Sequence, residues 1–290
     1  MYDVCGKRNS LHQIGGTAMI TYVNDKSEKY HDAIIHALRS HNRRFTGPVE
    51  PESLHIYAFD NNRLVGALDV SYFWDWATIG AVFYENKDVL RTMVGKAWQH
   101  YGEKAVGVKL FTPSRARFDA FLGAGFKETA VLRVGPHVSY YADLDSFDKD
   151  SKNHYDTTAQ KEPVSAHKKV LDAHEKSFKA HHDIKESSEA IQIVALDEEK
   201  FVGGVQADVY DDSVYVSRIA VVSAYRQRSV GSTLMRLLME EAGKRNIAML
   251  DLGTTGFQAR AFYEKLGFEI VYTRRDNPRG YESHTMVKYL

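Results

Sequence analysis

One order of elements occurs twice in this chain, about 140 residues apart. Ile79-Gly80-Ala81-Val82 stands opposite Ile219-Ala220-Val221-Val222 and Gly125-Phe126 opposite Gly267-Phe268, at offsets of 140 and 142 residues. In the first half, Tyr30, Ile34, Leu38 and Phe45 recur at helical spacing until Gly47-Pro48 breaks the pattern. Strand-like runs follow at 54–59, 64–72 and 78–84, then a helix bearing Leu90, Met93, Val94, Ala97, Trp98 and Tyr101 on one face. A strand at 105–111, a short helix at 114–122 and two strands at 131–134 and 139–142 complete the half. The second half repeats this order: a helix within 164–181, strands at 191–196, 201–210 and 214–222, a helix from Gly231, a strand to Leu252, a short helix, and two final strands. A period this long excludes a solenoid and predicts two copies of one α/β domain, each a twisted mixed sheet with helices on both faces in three layers. The expected boundaries are an extension at 1–18, a first domain at 19–145, a polar linker at 146–163 and a second domain at 164–290.

The junction at residues 221–239 carries the first chemical signal. An apolar strand ends at Ser223-Ala224-Tyr225, and a helical pattern with Leu234, Leu237, Leu238 and Ala242 on one face begins after Gly231. Arg226, Gln227, Arg228, Ser229, Val230, Gly231 and Ser232 fill the turn, where backbone N–H groups and two guanidinium groups converge on the positive end of a helix dipole. Such a turn suits a pyrophosphate. A nucleotide-triphosphatase loop would need a lysine after Gly231, and a dinucleotide fingerprint would need three spaced glycines, so both are excluded. An ordinary turn with its arginines in water would read the same from these residues alone.

A second segment narrows the choice. Gln258-Ala259-Arg260-Ala261-Phe262-Tyr263-Glu264-Lys265-Leu266-Gly267-Phe268 reads as a short helix closed by glycine, following the strand that ends at Leu252. The two segments together resemble the acyl-CoA-binding turn (Arg/Gln-x-x-Gly-x-Gly/Ala) and the Ala-x-x-x-Tyr-x-Lys-x-Gly-Phe segment of the GNAT superfamily of N-acetyltransferases, over roughly residues 191–290. Ser229 departs from the first glycine of the turn, at an expected cost of about 1 kcal/mol if that position needs φ > 0. Gly256 stands where the family has an asparagine.

The resemblance implies acetyl-CoA as co-substrate and direct transfer of its acetyl group to a primary amine in a ternary complex. The cofactor would lie against the strand end at Ile219, Ala220 and Val221, whose backbone supplies the thioester oxygen with a donor, and against the turn from Arg226 to Ser232. Tyr263 matches the family's general acid for the departing thiolate; a core tyrosine is the plainer alternative. Asp208, Tyr210, Ser217 and His284 are candidate bases, with no choice among them. A rival from another class is an acyl-CoA-binding regulatory or interaction protein without turnover, for which Ser229 and Gly256 argue.

The first copy differs where chemistry would occur. Glu85-Asn86-Lys87-Asp88 replaces the phosphate turn, and Phe121 stands opposite Tyr263, so this copy is expected to keep the fold without the cofactor site. Its roles would be structural support, docking, or walling the acceptor cleft. Lysine plus arginine and aspartate plus glutamate both number 38 in 290 residues, so no net field draws nucleic acid or an anionic membrane. One cysteine, Cys5, excludes an intrachain disulfide, and no apolar run is long enough for a membrane span; the expected location is cytoplasmic. His174, His181 and His182 share a helix without a carboxylate at ligand spacing, so no metal is expected. The acceptor is expected to be a small-molecule or peptide amine, and sheet edges allow a homodimer.

Overall fold

A computed structural model describes residues 10–14, 18–25, 29–134, 137–147, 155–182, 184, 189–210 and 212–290, with backbone alone at 10–14, 18, 19, 134 and 137. In chain order the elements are β1 (Ser10–Ile14), β2 (Ala18–Asn24), α1 (His31–Thr46), β3 (Glu52–Asp60), β4 (Arg63–Phe73), β5 (Trp76–Tyr84), α2 (Lys87–Tyr101) and β6 (Gly107–Thr112). There follow α3 (Arg115–Gly123), β7 (Lys127–Val134), β8 (His137–Leu144), β9 (Asp156–Gln160), α4 (Ser165–His181), β10 (Glu189–Asp197), β11 (Lys200–Val209) and β12 (Ser213–Val221). The chain ends with α5 (Val230–Gly243), β13 (Met249–Thr255), α6 (Arg260–Lys265), β14 (Glu269–Arg274) and β15 (Ser283–Tyr289). Cys5 lies outside the described residues.

The chain forms two compact units. One comprises Met1–Gly47, Glu186–Thr273 and Ser283–Leu290; the other comprises Pro48–Lys185 and Arg274–Glu282. The first contains an eight-stranded mixed sheet in the order β1-β2-β10-β11-β12-β13-β15-β14, the second a seven-stranded mixed sheet in the order β7-β8-β6-β5-β4-β3-β9. In the first unit α5 packs on one face through Val230, Leu234, Met235 and Leu238, with Tyr263 of α6 in the same apolar cluster. On the opposite face Ile34 of α1 packs with Val194 and Ala220. In the second unit Val89, Leu90, Met93 and Phe118 cover one face and Leu171 of α4 packs with Tyr57 and Ala67 on the other. Both units are therefore the expected three-layer α/β/α arrangement.

The composition of the units departs from a sequential split at 19–145 and 164–290. Strand β2 pairs antiparallel with β10, Tyr22 opposite Ala195, and α1 covers the same sheet. Strand β9 pairs antiparallel with β3, Thr158 opposite Tyr57, and α4 covers that sheet. Each half thus gives its first strand and helix to the other half's sheet. Apolar periodicity reveals the two helices, α1 and α4, but not which of the two sheets each covers. At Gly204 a Cβ would stand 2.7 Å from Cδ1 of Ile34, so α1 approaches the sheet closely.

Two further expectations shift. Residues 10–14, read as extension, form an edge strand paired with β2. Residues 156–160, read as linker, form the edge strand β9, whose alternately exposed and half-buried residues carry no apolar run.

The sheet of the first unit opens at one splay. Strands β12 and β13 are parallel and paired from Ser213–Met249 to Val216–Leu252, after which they separate. A bulge at Ser217 sits at that point, because Ala207 faces Val216 while Gln206 faces Arg218. The second unit repeats the splay, with β5 and β6 paired only from Trp76–Gly107 to Thr78–Lys109.

Candidate active site

Beyond the bulge, β12 holds Ile219, Ala220 and Val221 opposite Val205, Gly204 and Gly203 of β11. Ala220 is buried toward α1, whereas Ile219 and Val221 lean on the α5 side. A single 3-10 turn, Ser223–Tyr225, then leads to the loop that starts α5. In this loop two non-glycine residues lie in the left-handed region, Gln227 at φ 60° and Ser229 at φ 59°. The anticipated requirement for φ > 0 at Ser229 is therefore present, in a residue with a Cβ.

The start of α5 is unsatisfied from within. Ser229 makes no side-chain cap bond, the first turn holds no acid, and the first intrahelical acceptor used is Ser229 O, by the N–H of Thr233 at 2.9 Å. The N–H groups of Val230, Gly231 and Ser232 precede that bond and point out of the helix beside the dipole's positive end. Gly231 sits where a Cβ would come within 3.4 Å of Phe262, so α5 and α6 pack closely at the mouth. Arg228 lies over the ring of Tyr225 at 5.5 Å, and the Tyr225 hydroxyl donates to Asp197 at 2.6 Å. Arg226 donates from Nε to Val221 O and from Nη1 to His41 Nδ1, both at 3.0 Å.

Tyr263 lies across the splay. It is 5% exposed, its ring meets Phe262 and Phe268 edge-on at 5.1 and 5.8 Å, and burial, with Tyr215 nearby as a second cause, pushes its phenol well above the ordinary tyrosine pKa. Its proton is thus held throughout the neutral range. Tyr215, on β12 and absent from the sequence-based candidates, extends its hydroxyl to 3.9 Å from where a Cβ on Gly253 would stand. Desolvation, followed by Asp251 and Asp208, raises its pKa too.

The candidate bases separate. Ser217 donates to Gln206 O at 3.2 Å and so serves the bulge. His284 is 3% exposed on β15, opposite Thr254, with Nδ1 2.9 Å from Thr273 Oγ1, a sheet-edge latch. Asp208 stays beside the splay, opposite Tyr215 on the neighbouring strand. On the α1 face a string of polar side chains runs across the sheet: Gln192 Nε2 donates to Asp25 at 2.8 Å, Gln206 donates to Gln192 and lies 2.7 Å from His31, and Arg218 reaches Gln206 Oε1 at 3.4 Å. Gln192 and Gln206 are buried. Among the described residues no group of His, Cys, Asp and Glu converges to hold a metal, and no helix is long and apolar enough to cross a membrane.

The second unit fills the same features with its own side chains. Asn86 caps α2, its Oδ1 accepting from the N–H groups of Asp88 and Val89 at 3.0 and 3.1 Å, and Glu85 pairs with Arg63. The N–H of Val82, the first residue past the bulge of β5 to face β4 again, donates to Glu175 Oε1 of α4 at 2.8 Å. Glu175 in turn accepts from Arg117 Nη2 at 2.7 Å, with both side chains 12% exposed. Phe121 is a fully buried core ring.

Residues 156–268 match the model of the acetyltransferase (GNAT) family. That stretch runs through β9 and α4 of one unit into β10 to α6 of the other. Among solved structures, an acetyltransferase from Bacillus cereus is 22% identical with a TM-score of 0.40, the match covering 45% of this chain and 96% of that one. An aminoglycoside 6'-N-acetyltransferase complexed with coenzyme A is 22% identical at a TM-score of 0.32, covering 35% and 73%. The ribosomal-protein-S18-alanine N-acetyltransferase of Escherichia coli is 25% identical at 0.33, covering 40% and 76%. No curated protein matches the chain.

Proposed function

We propose, from the match of residues 156–268 to the acetyltransferase (GNAT) family, that the chain moves an acetyl group from acetyl-CoA to a primary amine at one site, the β12–β13 splay of the first unit. The observation that carries this reading is the contrast between the two helix starts. The turn before α5 leaves its N–H groups, Arg226 and Arg228 at a mouth without an internal cap, whereas α2 is closed by Asn86. The donor set fits a pyrophosphate: backbone N–H groups and guanidinium groups, with no carboxylate in the first turn.

The thioester would lie in the splay with its carbonyl oxygen against a β12 amide beyond the bulge, among Ile219, Ala220 and Val221. The amine nitrogen attacks the carbonyl carbon, the C–N bond forms as the C–S bond breaks, and Tyr263 gives its proton to the departing sulfur. A phenol this buried is a reluctant anion, so it regains a proton promptly as the nitrogen, cationic once it has attacked, sheds one to leave the neutral amide. Asp208, opposite Tyr215 on the neighbouring strand, is the carboxylate that would take up that proton.

A calorimetric titration of the whole chain with acetyl-CoA tests the reading. One site per chain, lost in Arg228→Glu, is expected. Two sites would show that the second unit also binds cofactor, and silence at millimolar ligand would reject the enzyme.

A further inference from the structure

The end of α1 touches both rims of the splay at once. On one side His41 Nδ1 accepts from Arg226 Nη1 at 3.0 Å, across 185 positions of sequence, and Arg226 is the first residue of the turn between β12 and α5. A guanidinium only donates, so this histidine ring is neutral with its proton on Nε2. The ring also hydrogen-bonds the backbone of Phe257, in the loop that follows β13. On that second side Asn42 Oδ1 accepts from Gln258 Nε2 at 3.1 Å, across 216 positions, and Gln258 Oε1 accepts from the N–H of Thr255 at 2.9 Å. Phe45 stacks on Phe257 with centroids 5.1 Å apart, and His41 meets Phe45 edge-on at 5.3 Å. Burial first, then Arg226 and Arg44, lower the His41 pKa, which agrees with the acceptor role that the geometry requires.

We propose that the last turns of α1 form a clamp that fixes the width of the cofactor cleft, with His41 the positioning residue that ties the phosphate turn to the rim after β13. This rests on the reading of the splay as the acetyl-CoA site. Strands β12 and β13 have no bonds to each other past Val216 and Leu252, so something outside the sheet must set the spacing of their ends. The clamp does this from the far side of the sheet, using a helix encoded beside the other unit's strands. It also pre-orders Arg226. Without His41 the guanidinium keeps its Nε bond to Val221 O but loses the one that orients its outer end, and re-ordering that end on binding weakens affinity about tenfold.

The test is calorimetric titration of acetyl-CoA into the wild-type chain, His41→Leu, His41→Gln and Asn42→Ala, with a thermal melt of each. Leucine removes both bonds; glutamine keeps an oxygen for Arg226 and an N–H for the Phe257 backbone. Binding about tenfold weaker in His41→Leu (~1.4 kcal/mol), near wild type in His41→Gln, and weaker in Asn42→Ala supports the clamp. If His41→Leu fails to fold, the Asn42→Ala result decides, since it loosens the other rim through an exchangeable side-chain bond. Wild-type affinity in every folded variant overturns the clamp and leaves the cofactor site standing. No binding by the wild-type chain removes the site and the clamp together.

Discussion

Ser229→Gly isolates the strain in the phosphate turn. Ser229 occupies φ 59°, ψ 8°, the left-handed region, immediately before α5 and without a side-chain cap bond to offset it. An L-residue with a Cβ sits there at a cost of about 1–2 kcal/mol, which glycine does not incur. Glycine gives back about 0.4–1 kcal/mol by enlarging the unfolded ensemble. The difference leaves Ser229→Gly more stable by about 0.5–1 kcal/mol, or a rise in Tm of ~1–4 °C for a domain of this size class. Ser229→Ala retains the Cβ and should melt near the wild type, while Ser229→Val, branched at Cβ, should melt lower than both. The assay is urea and thermal unfolding followed by circular dichroism. Tryptophan fluorescence is unsuitable, because Trp74, Trp76 and Trp98 all belong to the other unit. Glycine and alanine variants of equal stability would mean that residue 229 does not hold a positive φ in solution, and the proposed match to a glycine turn would fall with it.

Tyr263→Phe should lower CoA release with a reactive amine by at least about a hundredfold while leaving acetyl-CoA affinity within twofold; equal loss of both would make the phenol structural. Since burial raises the Tyr263 pKa, its ionisation should cause no alkaline fall in rate up to about pH 10, as measured by a pH–rate profile. In the second unit, Glu175→Ala removes a carboxylate that holds both the Val82 N–H and Arg117, and leaves a largely buried guanidinium without its counter-charge. A cost of about 3–5 kcal/mol in urea unfolding is expected, with Arg117→Met in the same chain recovering part of it; additivity of the two would refute the pair. Gly204→Ala drives a Cβ into Ile34 and should cost about 1–3 kcal/mol, less in an Ile34→Val background. If Ile34→Val brings no relief, α1 is not the helix on that sheet, and the exchange of first helices between halves is wrong.

Most of the order of elements and the two-copy organisation are legible in the sequence because each has a local signature: apolar period, turn chemistry, or motif spacing. The turn motif poses φ > 0 at residue 229 only as a condition, which the backbone meets. The contacts that build the rims were not. His41 and Asn42 sit on a helix whose visible pattern was its apolar face, and their partners lie 185 and 216 positions away. No local rule connects such residues. Strand β9 was missed for another reason: as an edge strand with alternately exposed and half-buried residues it needs no apolar run, so Asp156–Gln160 reads as linker composition. The exchange of β2–α1 and β9–α4 was illegible because apolar periodicity does not say which of the two sheets a helix covers. Tyr215 is one of several strand tyrosines in the sequence, and nothing local sets it apart.

The two units treat the same three positions of one fold differently. Three positions set the units apart: the helix start, a strand amide beyond the bulge and the ring on the short helix that follows the splay; a helix start without a cap is costly in a folded chain. The second unit satisfies the first two with Asn86 and Glu175 and replaces the third by Phe121, which gains stability from an N-cap of about 1 kcal/mol and a packed ring. The first unit keeps Ser229 strained and uncapped, holds Tyr263 in a position that disfavours its anion, and uses α1 to keep the opening in shape. Stability alone would favour closing these features, as the second unit does with Asn86, Glu175 and Phe121. Their persistence in one unit is therefore the physical argument for locating the chemistry there.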